Sequence, residues 1–399
     1  MSAVSIAGVA ARNVVTPRSV EELARAVGEL HAARAPFAFV GGATHLALGN
    51  APRALDTVIR TVALDRVVEY AAEDQTITVE AGMTLAELDR VLAAHGQMLP
   101  VDVADRERAT VGGVVATNAF GRRRQRYGTV KDLIVGVTIV RPDGTLARGG
   151  GKVVKNVAGF DLPKLMTGAL GTLGGIASVT FRVHPLPEAR RAAALHFDGS
   201  DAIARAARAI VEARLEPESV ALYNYDALVV SFGGTPRGVE EQMRTLLDRV
   251  APGAGAGAAH ELVDDEPESY EQRERAVRRD GDWRFTVAAP PAVPSWTLGS
   301  FVAAAPLAVP VAYPLLGVAL HAYAALAADA PRQCVELRAH VAAQTDGCGN
   351  VTVTAMPDAA RGRVDAWGDP PPSLPLMRAL KARFDPLALC NPGRFVGGL

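Results

Sequence analysis

The chain has 399 residues, of which 49% are hydrophobic and 21% charged, so it is not a disordered polypeptide and is long enough for roughly two to three domains. Its 42 Lys and Arg nearly cancel its 43 Asp and Glu, which leaves no argument for a nucleic-acid partner. Cys334, Cys348 and Cys390 are odd in number and lack a C-x-x-C spacing, which argues against a disulfide framework or an iron–sulfur cluster and for a reducing compartment.

Met1–Asn13 has no basic stretch followed by a long apolar core, so no signal peptide is expected. Ser19 and Glu22 form a capping box that opens a helix with Val20, Leu23, Val27 and Leu30 on one face. Phe37–Val40 reads as a short buried strand that runs into Gly41-Gly42-Ala43-Thr44-His45-Leu46. Val67–Tyr70 and Thr76–Glu80 read as a strand pair. Thr84 and Glu87 cap a second helix with Leu85, Leu88, Val91 and Leu92 inward, and Gly96 supplies its left-handed end. Leu133–Val140 and Ile176–Val183 are further strands, the first followed by the turn Pro142-Asp143-Gly144.

After Pro187 the pattern loosens into alternating helices and strands: Ala202–Ala213, Ser219–Leu222 and Val239–Val250. Pro252–Ala259 reads as a mobile Gly/Ala-rich loop. Phe285–Ala328 carries no Asp, Glu, Lys or Arg, but its prolines interrupt any spanning helix, so buried strands and a helix are expected. Leu374–Phe384 is a closing helix, followed by Asn391-Pro392-Gly393-Arg394.

Two glycine-rich stretches stand out: Thr110–Asn118 with Gly121, and Lys155–Leu162 followed by Gly168–Ile176. Glycine reaches positive φ and admits close approach to the backbone, and consecutive glycines after a strand can form an anion nest. Gly41-Gly42 is not G-x-G-x-x-G, so a Rossmann reading is weak, and a tight strand-to-loop turn explains the pair equally well.

Taken together, Gly41–Leu46, Thr110–Asn118, Tyr127–Leu133, Lys155–Leu162, Gly168–Ile176 and the tail Leu380–Pro386 with Asn391–Arg394 resemble the flavin domain of the vanillyl-alcohol-oxidase-type (PCMH-type) family. Within that family the chain is similar to the FAD-binding subunits of bacterial glycolate oxidases. The resemblance implies an α+β fold. A two-subdomain FAD-binding domain would span residues 1–187 and an α/β cap residues 188–373, with a C-terminal segment, 374–399, packing back near the FAD domain.

The resemblance also implies site roles. Gly41, Gly42, Ala43, Thr44, His45 and Leu46 would wrap the pyrophosphate of FAD. Thr110, Gly112, Gly113, Thr117 and Asn118 would line the ribityl and pyrophosphate path, with Gly121 and Tyr127 continuing that wall. Gly171, Thr172 and Ile176 would support the cofactor from the second stretch. Asn118 as a local cap and Tyr127 as a core residue stay open as alternatives. Arg122–Arg124 and Arg126 either approach phosphate or form a solvated face, and Lys155 and Lys164 read as surface lysines.

Some relatives attach FAD covalently through a histidine directly after the glycine run. Here Thr44 occupies that place and His45 follows, so non-covalent FAD is expected. Relatives that oxidise a 2-hydroxy acid alone carry a His-rich metal motif, whereas Thr345–Val351 holds no histidine. His321 and His340 lack a ligand spacing and read as packing or surface residues. No metal site is expected and no catalytic residue is assigned.

Three functions follow. The first is an FAD-binding subunit of a glycolate (2-hydroxyacid) dehydrogenase, partnered by a second flavoprotein subunit and an iron–sulfur subunit. It would be cytoplasmic, and any attachment at the inner membrane would run through those partners. The second is a self-sufficient FAD-dependent oxidoreductase of a small hydroxy acid or sugar acid. The third is a non-catalytic FAD-binding assembly subunit.

Overall fold

The computed structural model describes residues 4–151, 160–291, 310–323 and 330–399. Contacts divide the chain into two compact units. The first comprises Met1–Gly121, Gly128–Leu186 and Asp369–Leu399; the second comprises Arg122–Tyr127 and Pro187–Gly368.

In the first unit, helix Val20–Ala32 starts at the cap that the sequence specifies. Ser19 Oγ accepts from the Glu22 N–H at 3.2 Å, and Glu22 Oε2 accepts from the Arg18 N–H at 2.8 Å. The helix buries Leu23 and Val27 completely, each worth about 1.5–3 kcal/mol. It is the crossover between Asn13–Val15 and Phe37–Val40, which both pair in parallel with Thr57–Arg60. Parallel strands need such a connection, because a tight turn cannot return the chain in the same direction.

A five-stranded antiparallel sheet forms the rest of this framework. Its order is Leu146–Gly150, Ile134–Val140, Gly175–Arg182, Thr76–Glu80, Val67–Ala71. The central strand Gly175–Arg182 pairs on both sides and has a register shift between Ile176 and Ser178. At that shift the Ala177 carbonyl accepts from the Ala81 N–H at 2.9 Å.

The last segment docks onto the same unit. Cys390 bridges Phe37 in parallel, beside the three-stranded sheet. Lys381, on helix Leu374–Phe384, is buried. Its Nζ donates to Asp385 Oδ2 at 2.7 Å, the Thr172 carbonyl at 2.7 Å and the Cys390 carbonyl at 2.9 Å. A buried ammonium needs this full set of acceptors, since an unpaired charge would cost several kcal/mol.

The second unit is built on an eight-stranded, wholly antiparallel sheet. Its order is Ala258–Glu261, Ala189–His196, Ala227–Gly234, Ser219–Tyr223, Val311–Tyr313, Val318–Tyr323, Trp283–Ala288, Asn350–Ala355. Helices Ser200–Glu212, Pro236–Thr245 and Ala330–Gln344 pack Ile203, Ile210, Val239, Met243, Leu337 and Val341 into the sheet's core.

One sequence expectation changes here, and another holds for its strands within the described residues. Pro252–Ala259 is not a plain loop: Ala251–Ala254 is helical, Gly255 closes it at φ 80°, and Ala258–Glu261 is an edge strand. The uncharged stretch Phe285–Ala328 contributes the strands Val311–Tyr313 and Val318–Tyr323 and most of Trp283–Ala288; its residues 292–309 and 324–328 lie outside the described residues. No helix among the described residues is long and apolar enough to cross a membrane.

Candidate cofactor site

The first unit contains a partly open cleft. Its walls are the end of strand Phe37–Val40 with the loop Gly41–Leu46, helix Val111–Thr117, the turn around Leu170–Ile176, and Asn391 and Arg394 of the tail.

Helix Val111–Thr117 is the element that the sequence pattern concealed, because Gly112, Gly113, Val111, Val114 and Val115 are weak helix formers. Tertiary bonds hold it instead. Thr110, 2% exposed, caps it by accepting the Gly113 N–H on Oγ1 at 3.3 Å. The Val111 and Gly112 N–H groups donate to the carbonyls of Met83 and Ala81 at 2.9 and 2.7 Å. At its C-terminal end, the carbonyls of Val115 and Ala116 accept from Gly168 and Leu170 at 2.9 and 2.8 Å. The first glycine-rich stretch is thus bonded to the second.

The glycines serve packing as much as ligand access. A Cβ on Gly41 would lie 2.0 Å from Thr110 Oγ1, and one on Gly42 would lie 1.5 Å from the Arg108 carbonyl. On Gly112 it would meet Ala81 Cβ at 2.8 Å, and on Gly121 it would meet Asp102 at 2.3 Å. Gly113 differs: its Cβ would meet only the capping Thr110 Oγ1, at 3.2 Å, and it lines the cleft. Gly171 sits at φ 66°, where glycine is favoured, with open contact to Phe39. Ala43 also takes a left-handed φ of 61° in the loop.

Of the residues expected to hold a cofactor, Gly41, Gly42, Ala43, Thr44, His45, Leu46, Thr110, Gly112, Gly113, Thr117, Gly171 and Ile176 line this cleft. Four others lie elsewhere. Asn118 is the left-handed cap of the helix at φ 48°. Gly121 packs on Asp102. Thr172, 2% exposed, donates its hydroxyl to the Ala169 carbonyl at 2.7 Å. Tyr127 belongs to the second unit, where its hydroxyl donates to Glu218 Oε1 at 3.2 Å and burial raises its pKa. The part of the second stretch at residues 155–159 lies outside the described residues.

Arg122 belongs to the second unit and is largely buried there. Its side chain is 14% exposed and pairs with Glu271 and with Glu274 at 3.1 Å in the second unit. Arg126 donates to the Glu216 carbonyl at 2.9 Å, and Lys164 pairs with Asp161 at 2.7 Å near the surface. Arg275, Arg278 and Arg279 are likewise engaged with carboxylates of their own unit. Buried Glu274 also accepts from the Tyr313 hydroxyl at 2.6 Å.

The cleft has residues to which the sequence reading gave no cofactor role. Phe39, Thr61, Met166, Leu170, Gly174 and Gly175 line it, and so do Asn391 and Arg394. Arg394, 4% exposed, donates to the carbonyls of Leu46, Leu48 and Asn50 and so fixes the far end of the loop that begins at Gly41. Asn391, also 4% exposed, donates Nδ2 to the Leu170 carbonyl, while its Oδ1 has no protein partner. The Asn-Pro-Gly-Arg tail was visible as a motif, but only folding brings it to the cleft. A cleft with a mostly apolar lining, an open glycine face and an unsatisfied buried acceptor fits a dinucleotide cofactor.

Comparison with known proteins agrees. Residues 11–150 match a family described as an FAD binding domain. The chain is 29% identical over 217 residues to glycolate oxidase subunit GlcD of Bacillus subtilis (strain 168), covering 54% of this chain and 46% of that protein. It is 34% identical over 174 residues to D-2-hydroxyglutarate dehydrogenase of Xanthomonas citri pv. viticola, covering 44% and 37%. It is 40% identical over 124 residues to glycolate oxidase subunit GlcE of Escherichia coli (strain K12), covering 31% and 35%. The chain thus spans less than half the length of these curated relatives. Among solved structures, p-cresol methylhydroxylase matches with a TM-score of 0.73 at 16% identity, covering 97% of this chain and 88% of that one. Alkyldihydroxyacetonephosphate synthase matches with a TM-score of 0.69 at 18% identity, covering 95% and 75%. Both likenesses concern the fold. The α+β architecture expected from the sequence is therefore the one shared with these proteins, and residues 11–150 carry the match to the FAD binding domain family.

Proposed function

We propose that this chain is the FAD-binding subunit of a 2-hydroxyacid dehydrogenase of the glycolate oxidase kind, working beside a second flavoprotein subunit and an iron–sulfur subunit. The observation that carries the proposal is the cleft itself, in a chain that is similar to two glycolate oxidase subunits. Bound FAD would supply two-electron acceptance and onward single-electron transfer.

The residues divide that task by chemistry. The N–H groups at the start of helix Val111–Thr117 are spent on Met83, Ala81 and Thr110, so the helix is not the phosphate anchor. The loop Gly41–Leu46 is assigned that role, with Arg394 setting its shape and adding positive charge nearby. Gly113 and Gly171 leave room for the cofactor. His45, whose Nδ1 lies 3.1 Å from Thr44 Oγ1, stays unattached to the flavin. Phe39, Met166 and Ile176 exclude water from the apolar parts of the cleft.

A substrate carboxylate and hydroxyl would be held outside this cleft, at complex level. The similarity to D-2-hydroxyglutarate dehydrogenase favours a second reading, a chain that oxidises a small hydroxy acid by itself. The two readings differ under anaerobic conditions. Glycolate or another small 2-hydroxy acid should leave the flavin of the isolated chain oxidised and bleach it only when the partner subunits are added. Bleaching by the isolated chain would replace the first reading with the second.

A further inference from the structure

Asn391 stands in the left-handed region, at φ 48°, where asparagine is among the few tolerated residues. Its backbone N–H donates to the Phe37 carbonyl at 2.7 Å, and its Nδ2 donates to the Leu170 carbonyl. The second bond fixes the amide's orientation, because the flipped form would set oxygen against oxygen. What remains is Oδ1, an acceptor without a protein partner on a side chain 4% exposed, in a residue that lines the cleft.

A buried polar atom left unpaired is destabilising, so such an atom at a binding cleft marks where a ligand completes the bonding. By comparison, the hydroxyl of Thr117, which also lines the cleft, is already spent on the Gly113 carbonyl at 2.8 Å. An amide oxygen accepts only, which excludes the pyrophosphate oxygens as its partner. We infer that Asn391 is a cofactor-binding residue whose Oδ1 accepts a hydrogen bond from a donor of the dinucleotide: a ribityl or ribose hydroxyl, the flavin N3–H, or the adenine amine.

The assignment rests on the reading of the cleft as the FAD site. It gives the cleft a chemical direction, with the acceptor side at Asn391 and the phosphate side at Gly41–Leu46. It also makes the C-terminal tail part of the cofactor site and not only a structural clasp.

The test uses the full chain freed of flavin, as wild type and as Asn391→Gly, which keeps the left-handed backbone. Dissociation constants are measured for FAD, and by competition for FMN, ADP and inorganic pyrophosphate. Pyrophosphate has no donor to offer. The variant should bind FAD about five- to tenfold more weakly, from the loss of about one hydrogen bond. It should weaken FMN or ADP by a similar factor, whichever carries the donor, and leave pyrophosphate unchanged. Equal weakening of all three fragments would show a merely loosened tail and overturn the inference, as would unchanged FAD affinity. Failure of the wild-type chain to bind FAD would instead remove the reading of the cleft itself.

Discussion

At the residue scale, Gly112 and Gly113 are neighbours with opposite duties. Gly112 backs onto Ala81, where a Cβ would sit 2.8 Å from Ala81 Cβ, while Gly113 faces open space apart from its own cap. Gly112→Val should therefore lower stability by about 1–3 kcal/mol through overpacking, seen in urea unfolding of the apoprotein. Gly113→Trp should leave most of that stability in place and abolish FAD binding. Thr110→Ala should cost about 1 kcal/mol by removing the helix cap, read in the same unfolding assay. The positions of the glycines were plain in the sequence, but their reasons were not. Gly41 and Gly42 read as a ligand nest or a tight turn, and the fold shows that their missing Cβ atoms first make room for Thr110 and for the Arg108 carbonyl. A contact about 70 residues away leaves no local signature.

At the element scale, the first two helices were legible from their own caps. Ser19 and Thr84 accept from Glu22 and Glu87 as their spacing specifies, because capping is decided within one turn. Helix Val111–Thr117 was not legible, since its propensity is poor and its bonds run to Met83, Ala81, Gly168 and Leu170. Arg122 shows the same limit: its partners Glu271 and Glu274 lie far along the chain, and nothing near Arg122 announces them. The C-terminal helix depends on one buried ion pair. Breaking such a pair costs about 3–5 kcal/mol, and Lys381→Met should fall toward the lower end. Asp385 keeps the N–H donors of Leu389 and Cys390 at 3.1 and 2.8 Å, which continue to satisfy its carboxylate. Limited proteolysis should then release the tail earlier than in the wild type, with a matching loss of FAD affinity as Asn391 and Arg394 leave the cleft.

At the scale of the whole molecule, acid sensitivity follows from His321 on strand Val318–Tyr323. Burial lowers its pKa to about 4, and both ring nitrogens lack protein partners. In the unfolded chain a histidine titrates near about 6.5. Between those values the unfolded state binds more protons, so this contribution is complete above about pH 6.5 and is lost as pH falls toward 4. Urea unfolding at pH 7.5 and at pH 5, both chosen conditions, should show a smaller pH difference for His321→Leu than for the wild type. The α+β class and most of the segments that line the cleft could be read in the sequence because several glycine-bearing segments had to be explained jointly. The role of the tail could not, since Asn391 and Arg394 reach the cleft only through long-range folding. The central claim is that this cleft binds FAD without a covalent bond. Its most direct test is the flavin absorbance of the purified, FAD-reconstituted chain before and after acid precipitation, for wild type and Gly113→Trp. The account predicts bound flavin in the wild type, released wholly into the acid supernatant, and a folded but colourless variant. Flavin retained by the variant, or yellow colour remaining with the precipitated wild-type protein, would contradict it.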